Sequence, residues 1–316
     1  MDQYLRKVRL TASGRGGSLL INQGGINKHD IKIAFDVGKS ISSTQNYARI
    51  QIWNLTESHR NSMGKELDNI TLEAGYMPPT GGGNVGIIFK GQIRDVEHKR
   101  EGPDIITEIS CGEGDKAFRK ATISKSYKAG TEVKEVVEDI YKELEKEGVD
   151  RGEWKFPEDL PKFKRPYTVC GSCKREMDTL SRSKDFYWSV QNGALEIIPS
   201  DGFVGSVILV TPQTGLVGTP TITDNGIKVI ALLNPAIRPN RPVRVESDTL
   251  EMNAENGEYR VSECVYSGDN REGDFIVSIV GESIKEKKVD EGIKPAEATS
   301  SNVAQDAATS GVRGDQ

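Results

Sequence analysis

The feature that most constrains this chain is a hairpin written into it twice. Residues Phe89 to Glu113 and Tyr259 to Glu282 each read as an alternating apolar and polar strand, a polar turn, and a second alternating strand that ends in Gly-Glu. The turn is Arg100-Glu101-Gly102-Pro103-Asp104 in the first copy and Arg271-Glu272-Gly273-Asp274 in the second. Alternation with a period of two puts every second side chain on one face of a strand. Gly and Asp suit a tight reversal without any ligand. The copies also have matching predecessors. An alternating strand ending in Asn (Arg49 to Leu55; Lys228 to Pro235) is followed by a second strand (Ile70 to Gly75; Pro242 to Ser247), and then by the hairpin. Three like elements in one order predict two related antiparallel β-domains.

The 33 glycines and a hydrophobic fraction of only 35% also favour strands and turns over a helical bundle. With 316 residues there is room for more than the two β-units. The expected division is a first β-barrel domain over 1–115, an α+β insert over 116–200, a second β-barrel domain over 201–285, and a disordered tail over 286–316. In the first domain, Arg6 to Ala12 and Leu19 to Asn22 flank a Gly-rich turn, and Thr56 is placed to cap a short helix. In the insert, Val133, Val136, Val137, Ile140, Tyr141 and Leu144 form the apolar face of a helix capped by Thr131 and ended by Gly148. Cys170, Cys173, Met177 and Leu180 have the spacing of a second helix, and Asn192-Gly193 is a strong signal for a hairpin over 186–198. Past Lys285 the apolar periodicity gives way to charged and then small polar residues, which cannot bury a core.

Little in the sequence points to chemistry. A net charge of −5 argues against a protein that clamps nucleic acid by its phosphates. Cys170-Gly-Ser-Cys173 could suggest redox or zinc chemistry. Zinc would need two further ligands, however, and Cys111 and Cys264 lie inside strands, so core packing is the better reading. His29, His59 and His98 are scattered, and the glycines at 14–17 and 81–83 lack the Lys-Ser/Thr of a phosphate loop. No catalytic, cofactor-binding or metal-binding residue is assigned, and a non-enzymatic protein is expected. No signal peptide is evident, and the most apolar run, Val204 to Val210, is too short to span a bilayer. Two β-domains must also hide their strand edges, by closure or by pairing with other subunits, which predicts an assembly protein.

Specific strings carry a resemblance. Ala48 to Asn61, Ile70 to Tyr76 and Phe89 to Val96 resemble the first domain of baseplate hub proteins of contractile-tailed bacteriophages. Leu209 to Pro220 with Gly226 to Pro239 resembles their second β-domain. The family is related to late control protein D and to the hub part of injection-system spikes. The resemblance implies a homotrimer with two tail-tube-like antiparallel β-barrels per chain, so that three chains present six barrels to a sixfold tail tube. It implies a central spike protein at the other end, a DNA channel along the axis, and the tape measure protein and other baseplate proteins as further partners. Location in the virion follows, after assembly in the host cytoplasm. The length leaves no room for a fused lysozyme or spike. Two alternatives remain. Tyr127 to Leu144 is similar to the opening of a LysM peptidoglycan-binding module, which would suit a wall-binding or wall-degrading tail component. The same architecture would also serve as the hub of an R-type bacteriocin.

Overall fold

The computed structural model describes residues 5–24, 29–78, 82–224, 226–248, 251–252 and 254–283. The tail expected over 286–316 lies outside them. The first β-region contains β1 (Arg6–Gly14), β2 (Gly17–Ile21), β3 (Ile33–Ser40), β4 (Tyr47–Trp53), the short helix α1 (Glu57–Ser62), β5 (Leu67–Tyr76), β6 (Gly86–Glu101) and β7 (Asp104–Gly112). Alternation fixes which face each strand buries. Val8, Leu10 and Ala12 of β1, Ile33, Phe35 and Val37 of β3, and Ala48, Ile50 and Ile52 of β4 are all buried. Burial of such Val, Leu and Ile side chains is worth roughly 1.5–3 kcal/mol apiece. Thr56 caps α1 as expected, its hydroxyl accepting from the His59 amide.

The insert follows as α2 (Asp115–Lys120), β8 (Thr122–Tyr127), α3 (Val133–Lys146), β9 (Asp150–Trp154), β10 (Tyr167–Ser172), α4 (Cys173–Lys184), β11 (Phe186–Gln191) and β12 (Ala194–Pro199). Its core is a cluster distinct from that of the β-regions, centred on the buried face of α3, with Met177 and Leu180 of α4 and Trp188 of β11. The β11–β12 hairpin turns on Asn192 (φ 51°) and Gly193 (φ 81°), both left-handed as a two-residue type I′ turn requires. Two expectations are corrected here. Thr131 does not cap α3: its hydroxyl donates to the Lys128 carbonyl, and Glu132 stands at the cap without a side-chain bond. Cys170 is not on α4: it lies in β10, which pairs with β8, and is exposed, so of the four residues expected there Cys173, Met177 and Leu180 share the helix's buried face.

The last β-region is β13 (Ile208–Val210), β14 (Leu216–Thr223), β15 (Gly226–Leu232), β16 (Pro242–Val245), β17 (Glu258–Asp269) and β18 (Phe275–Ser283). The chain is thus mainly antiparallel β with an α+β insert. Among the described residues, the pairing of the β-regions runs as one open 13-stranded sheet and does not close into a barrel. Their hydrophobic residues likewise form one cluster.

Within that sheet the repeat is explicit. The neighbours β3-β4-β7-β6 recur in the same order as β14-β15-β18-β17, and β5 stands beside β6 as β16 stands beside β17. The two hairpins even share a bulge. In β6–β7 the register shifts after Ile93↔Cys111, leaving Arg94 as the extra residue, and in β17–β18 it shifts after Val261↔Gly281, leaving Ser262. Matching the bulges equates Glu263 with Asp95 and Gly281 with Cys111. The two Gly-Glu endings are therefore one residue out of structural step. A bulge and a period of two decide which side chains face the core, and a shared dipeptide does not. The turns differ too. Two residues separate the last paired positions Glu101↔Asp104, whereas six separate Gly268↔Phe275.

Candidate assembly surface

The two four-stranded units meet along an antiparallel ladder between β17 and β3, from Glu263↔Ser40 to Asp269↔Ala34. Side chains lock this junction at both ends. At one end the Arg6 guanidinium donates to the carbonyls of Gly273 (2.7 Å), Glu272 (2.9 Å) and Asp269 (3.3 Å), and Lys32 pairs with Glu272 and Asp269. The Phe275 ring packs edge-on against Phe35 (5.9 Å) and Tyr76 (5.3 Å), and the Tyr76 hydroxyl donates to the Phe275 carbonyl. The Arg-Glu-Gly-Asp turn of the second copy is therefore docked on the first unit. The turn of the first copy has no such seat, and Glu97 to Glu101 are largely exposed.

At the other end sits a buried ion pair. Lys39 Nζ lies 2.9 Å from Glu113 Oε1, with both side chains at or below 1% exposure. Lys39 also donates to Asn192 Oδ1, and Glu113 accepts from Asn46 Nδ2 (2.8 Å) and from the Asn192 amide (3.1 Å). These contacts fix the Asn-Gly turn of the insert against the point where β3, β17 and the end of β7 converge. A second network holds the insert to the last β-region. Glu196 faces Arg241 (3.6 Å) and Arg238 (3.8 Å) and accepts from Asn240 (3.0 Å), while Arg241 reaches Glu153 (2.9 Å). Neither network was anticipated from the sequence. One signal for it existed, because Lys39 continues the inward parity of Ile33, Phe35 and Val37, and a lysine there demands a buried partner.

The face of the eight paired strands opposite the core is mixed. Cross-strand neighbours place Lys228, Glu263, Asp36, Arg49, Glu108, Asp95, Glu97 and Lys99 on it, with acids outnumbering bases, beside the apolar Val217, Ile230, Val265, Ile276 and Val280 of the second unit.

None of the sequence's chemical candidates is gathered into a site. Among the described residues, no group of three or more His, Cys, Asp or Glu side chains is placed to hold a metal ion. His59 lies on α1 and His98 on β6, its Nδ1 3.2 Å from the Thr107 hydroxyl. Burial pushes the thiols of Cys111 and Cys264 up to about 12 and that of Cys173 up to about 11. A CxxC redox pair needs the opposite shift. Iodoacetamide at pH 8 should therefore alkylate one thiol of the native chain, Cys170, and all four after denaturation. Intact mass reads the count, and rapid native labelling of two or more would contradict the packing described. The LysM-like stretch supplies the end of β8 and most of α3, whose apolar side chains are consumed by the insert's own core. Among the described residues no helix is long and apolar enough to cross a membrane.

Solved structures with a similar fold include phage-tail and secretion proteins. The chain is similar to the tail protein of Neisseria meningitidis MC58 at 8% identity and a TM-score of 0.58, over 89% of this chain and 97% of that one. It is similar to the 43 kDa tail protein of prophage MuSo2 from Shewanella oneidensis at 8% identity and a TM-score of 0.56, over 89% of this chain and all of that one. It also resembles the Escherichia coli c3393 protein, a type VI secretion component with structural similarity to the T4 tail proteins gp27 and gp5, at 11% identity and a TM-score of 0.57, over 82% and 76% of the two chains. Among curated proteins no sequence matches. The baseplate hub gp41 family model matches residues 7–281, and the chain belongs to that family.

Proposed function

We propose that this protein is a purely structural hub that trimerises to join a sixfold tail tube to a threefold central spike. The observation that carries the reading is the tandem of two equivalent four-stranded units in one chain of a baseplate hub family. Three chains would supply six like units, and heterologous contacts close into a ring only when like surfaces recur around it. The two units need not be identical, because one end of such an adaptor faces six subunits and the other three. The insert, held by the Lys39–Glu113 and Glu196–Arg241 networks, would stand outside the ring at a fixed angle. The sheet face opposite the core, whose acids outnumber its bases, would then line the axial channel, where DNA must pass without adhering. Tape measure and other baseplate proteins would complete the contacts in the virion, and assembly would take place in the host cytoplasm before the particle is released. No catalytic residue is assigned. Native mass spectrometry or light scattering tests the reading. A three-chain mass, alone or on mixing with the tube and spike proteins, is expected, and a chain that stays monomeric in every mixture would overturn it.

A further inference from the structure

The loop from Asn234 to Arg241, between β15 and β16, is held by its own hydrogen bonds and presents one arginine. Asn234 Oδ1 accepts from the Ala236 amide (3.0 Å), the Ile237 amide donates to the Asn234 carbonyl (3.1 Å), and the Tyr266 hydroxyl donates to the Ile237 carbonyl. Ile237 and Asn240 are buried, so the backbone of Arg238 between them is fixed in place. The Arg238 side chain is 27% exposed, and its ion pair with Glu196, at 3.8 Å, is too long for a hydrogen bond. Among the described residues its guanidinium donates no hydrogen bond. The neighbouring charges are better matched, since Arg241 lies 2.9 Å from Glu153 and Glu196 accepts from Asn240. A guanidinium carries five N–H donors in a planar fork that fits a carboxylate. Arg238 is a positioned cation with its donors unused.

Arg238 lines a cleft of about 530 Å³ where three parts of the chain converge: Ile87 at the start of β6, the insert's Asn192 turn, and the segment leading into β13. Among the described residues the charged lining of this cleft is Arg238 and Arg241. Gly205 (φ 83°) makes room for the second of them, because a Cβ there would collide with the Arg241 guanidinium. The wall beside them is aliphatic, built from Ile87, 39% exposed, with Pro235 and Ala236. An exposed isoleucine and an arginine without hydrogen bonds in one cleft call for a group that is apolar and anionic at once.

We infer that this cleft binds the carboxyl-terminal residue of a partner polypeptide, an aliphatic one, with its carboxylate on the Arg238 guanidinium and its side chain against Ile87 and Pro235. A chain end carries a carboxylate and a side chain on a single Cα, which matches a donor fork and an aliphatic wall in the same cleft. A phosphate would satisfy Arg238 and leave the wall in water. An apolar segment alone would cover the guanidinium and offer it no acceptor. The site requires no particular oligomeric state and stands apart from the trimeric reading above.

The test uses N-acetyl-leucine and N-acetyl-leucinamide, which differ in the charge of the end group, with the full chain, by saturation-transfer NMR. The acid should show transfer to its methyl groups, and the amide should bind roughly tenfold more weakly, the scale of losing a charged hydrogen bond. Arg238→Gln should lower binding of the acid to that of the amide while the melting profile by circular dichroism stays unchanged. Arg238→Lys should restore only part of it, because an ammonium lacks the fork. Ile87→Glu, on the aliphatic wall and outside the arginine network, should abolish binding of the acid by like-charge repulsion, and it decides the question if Arg238→Gln perturbs the fold. No transfer from the acid, equal binding of acid and amide, or full binding by either Arg238→Gln or Ile87→Glu would overturn the site and leave the hub reading untouched.

Discussion

Replacing Lys39 by Met should destabilise the folded chain by about 3–5 kcal/mol, because it strands the Glu113 carboxylate in a site from which water is excluded. Glu113→Gln should be costly for the mirror reason, leaving the ammonium with only neutral oxygens. Removing both charges together, as Lys39→Met with Glu113→Leu, should recover much of the loss, since a buried pair recoups its desolvation only through its partner. Chemical denaturation followed by tryptophan fluorescence reads all three variants. Additive losses in the double variant would show that the two groups do not act as a pair. The location gives the result a functional edge. Lys39 and Glu113 meet where β3, β17 and the insert's Asn192 turn converge. A variant that remains folded should therefore show a loosened insert, with faster amide exchange at Asn192 and Gly193 than in the parent.

The sequence made local order legible and left long-range pairing obscure. Alternation placed Ile33, Phe35, Ile50 and Ile52 on their buried faces without reference to any partner strand, and Asn192-Gly193 specified its turn from two residues alone. The ordered series of strands revealed the repeat because each element was recognisable by itself. What periodicity could not supply was the neighbour. The clamp from Arg6 to Gly273 spans 267 residues, and nothing near Arg6 announces it. The one-residue offset between the Gly-Glu endings was hidden for a related reason, since a bulge changes the register of a strand without changing its alternation on either side. Cys170 shows the limit of spacing as a signal. Helical intervals from 170 to 180 cannot tell a helix from a strand that runs into one, and Gly171, at φ 115°, is where the chain changes. The junction between the two units was legible only as a need to cover strand edges, and that β17 meets β3 emerges only from the strand order.

Phe275→Ala is expected to cost about 3–5 kcal/mol, the range for emptying a large buried aromatic, and its effect should spread across both β-regions. Phe275 opens β18 of the second unit, yet its ring packs on Phe35 of β3 and Tyr76 of β5, and its carbonyl accepts the Tyr76 hydroxyl. One hydrophobic cluster contains all three residues, so a cavity there weakens the two units together. Hydrogen exchange should accordingly rise in β1, β3 and β5 as well as in β17 and β18, while α3 and α4, which draw on the insert's separate cluster, should keep their protection. Trp188→Ala supplies the reverse case. It empties the insert's core beside Phe118 and removes the indole N–H donated to Asp178, so α4 and β11 should lose protection while β3 and β18 keep theirs. If Phe275→Ala instead confined its effect to β17 and β18, the units would be independent bodies in contact. Spread across both units would mean that the two units unfold as one cooperative body, as a single shared hydrophobic cluster requires.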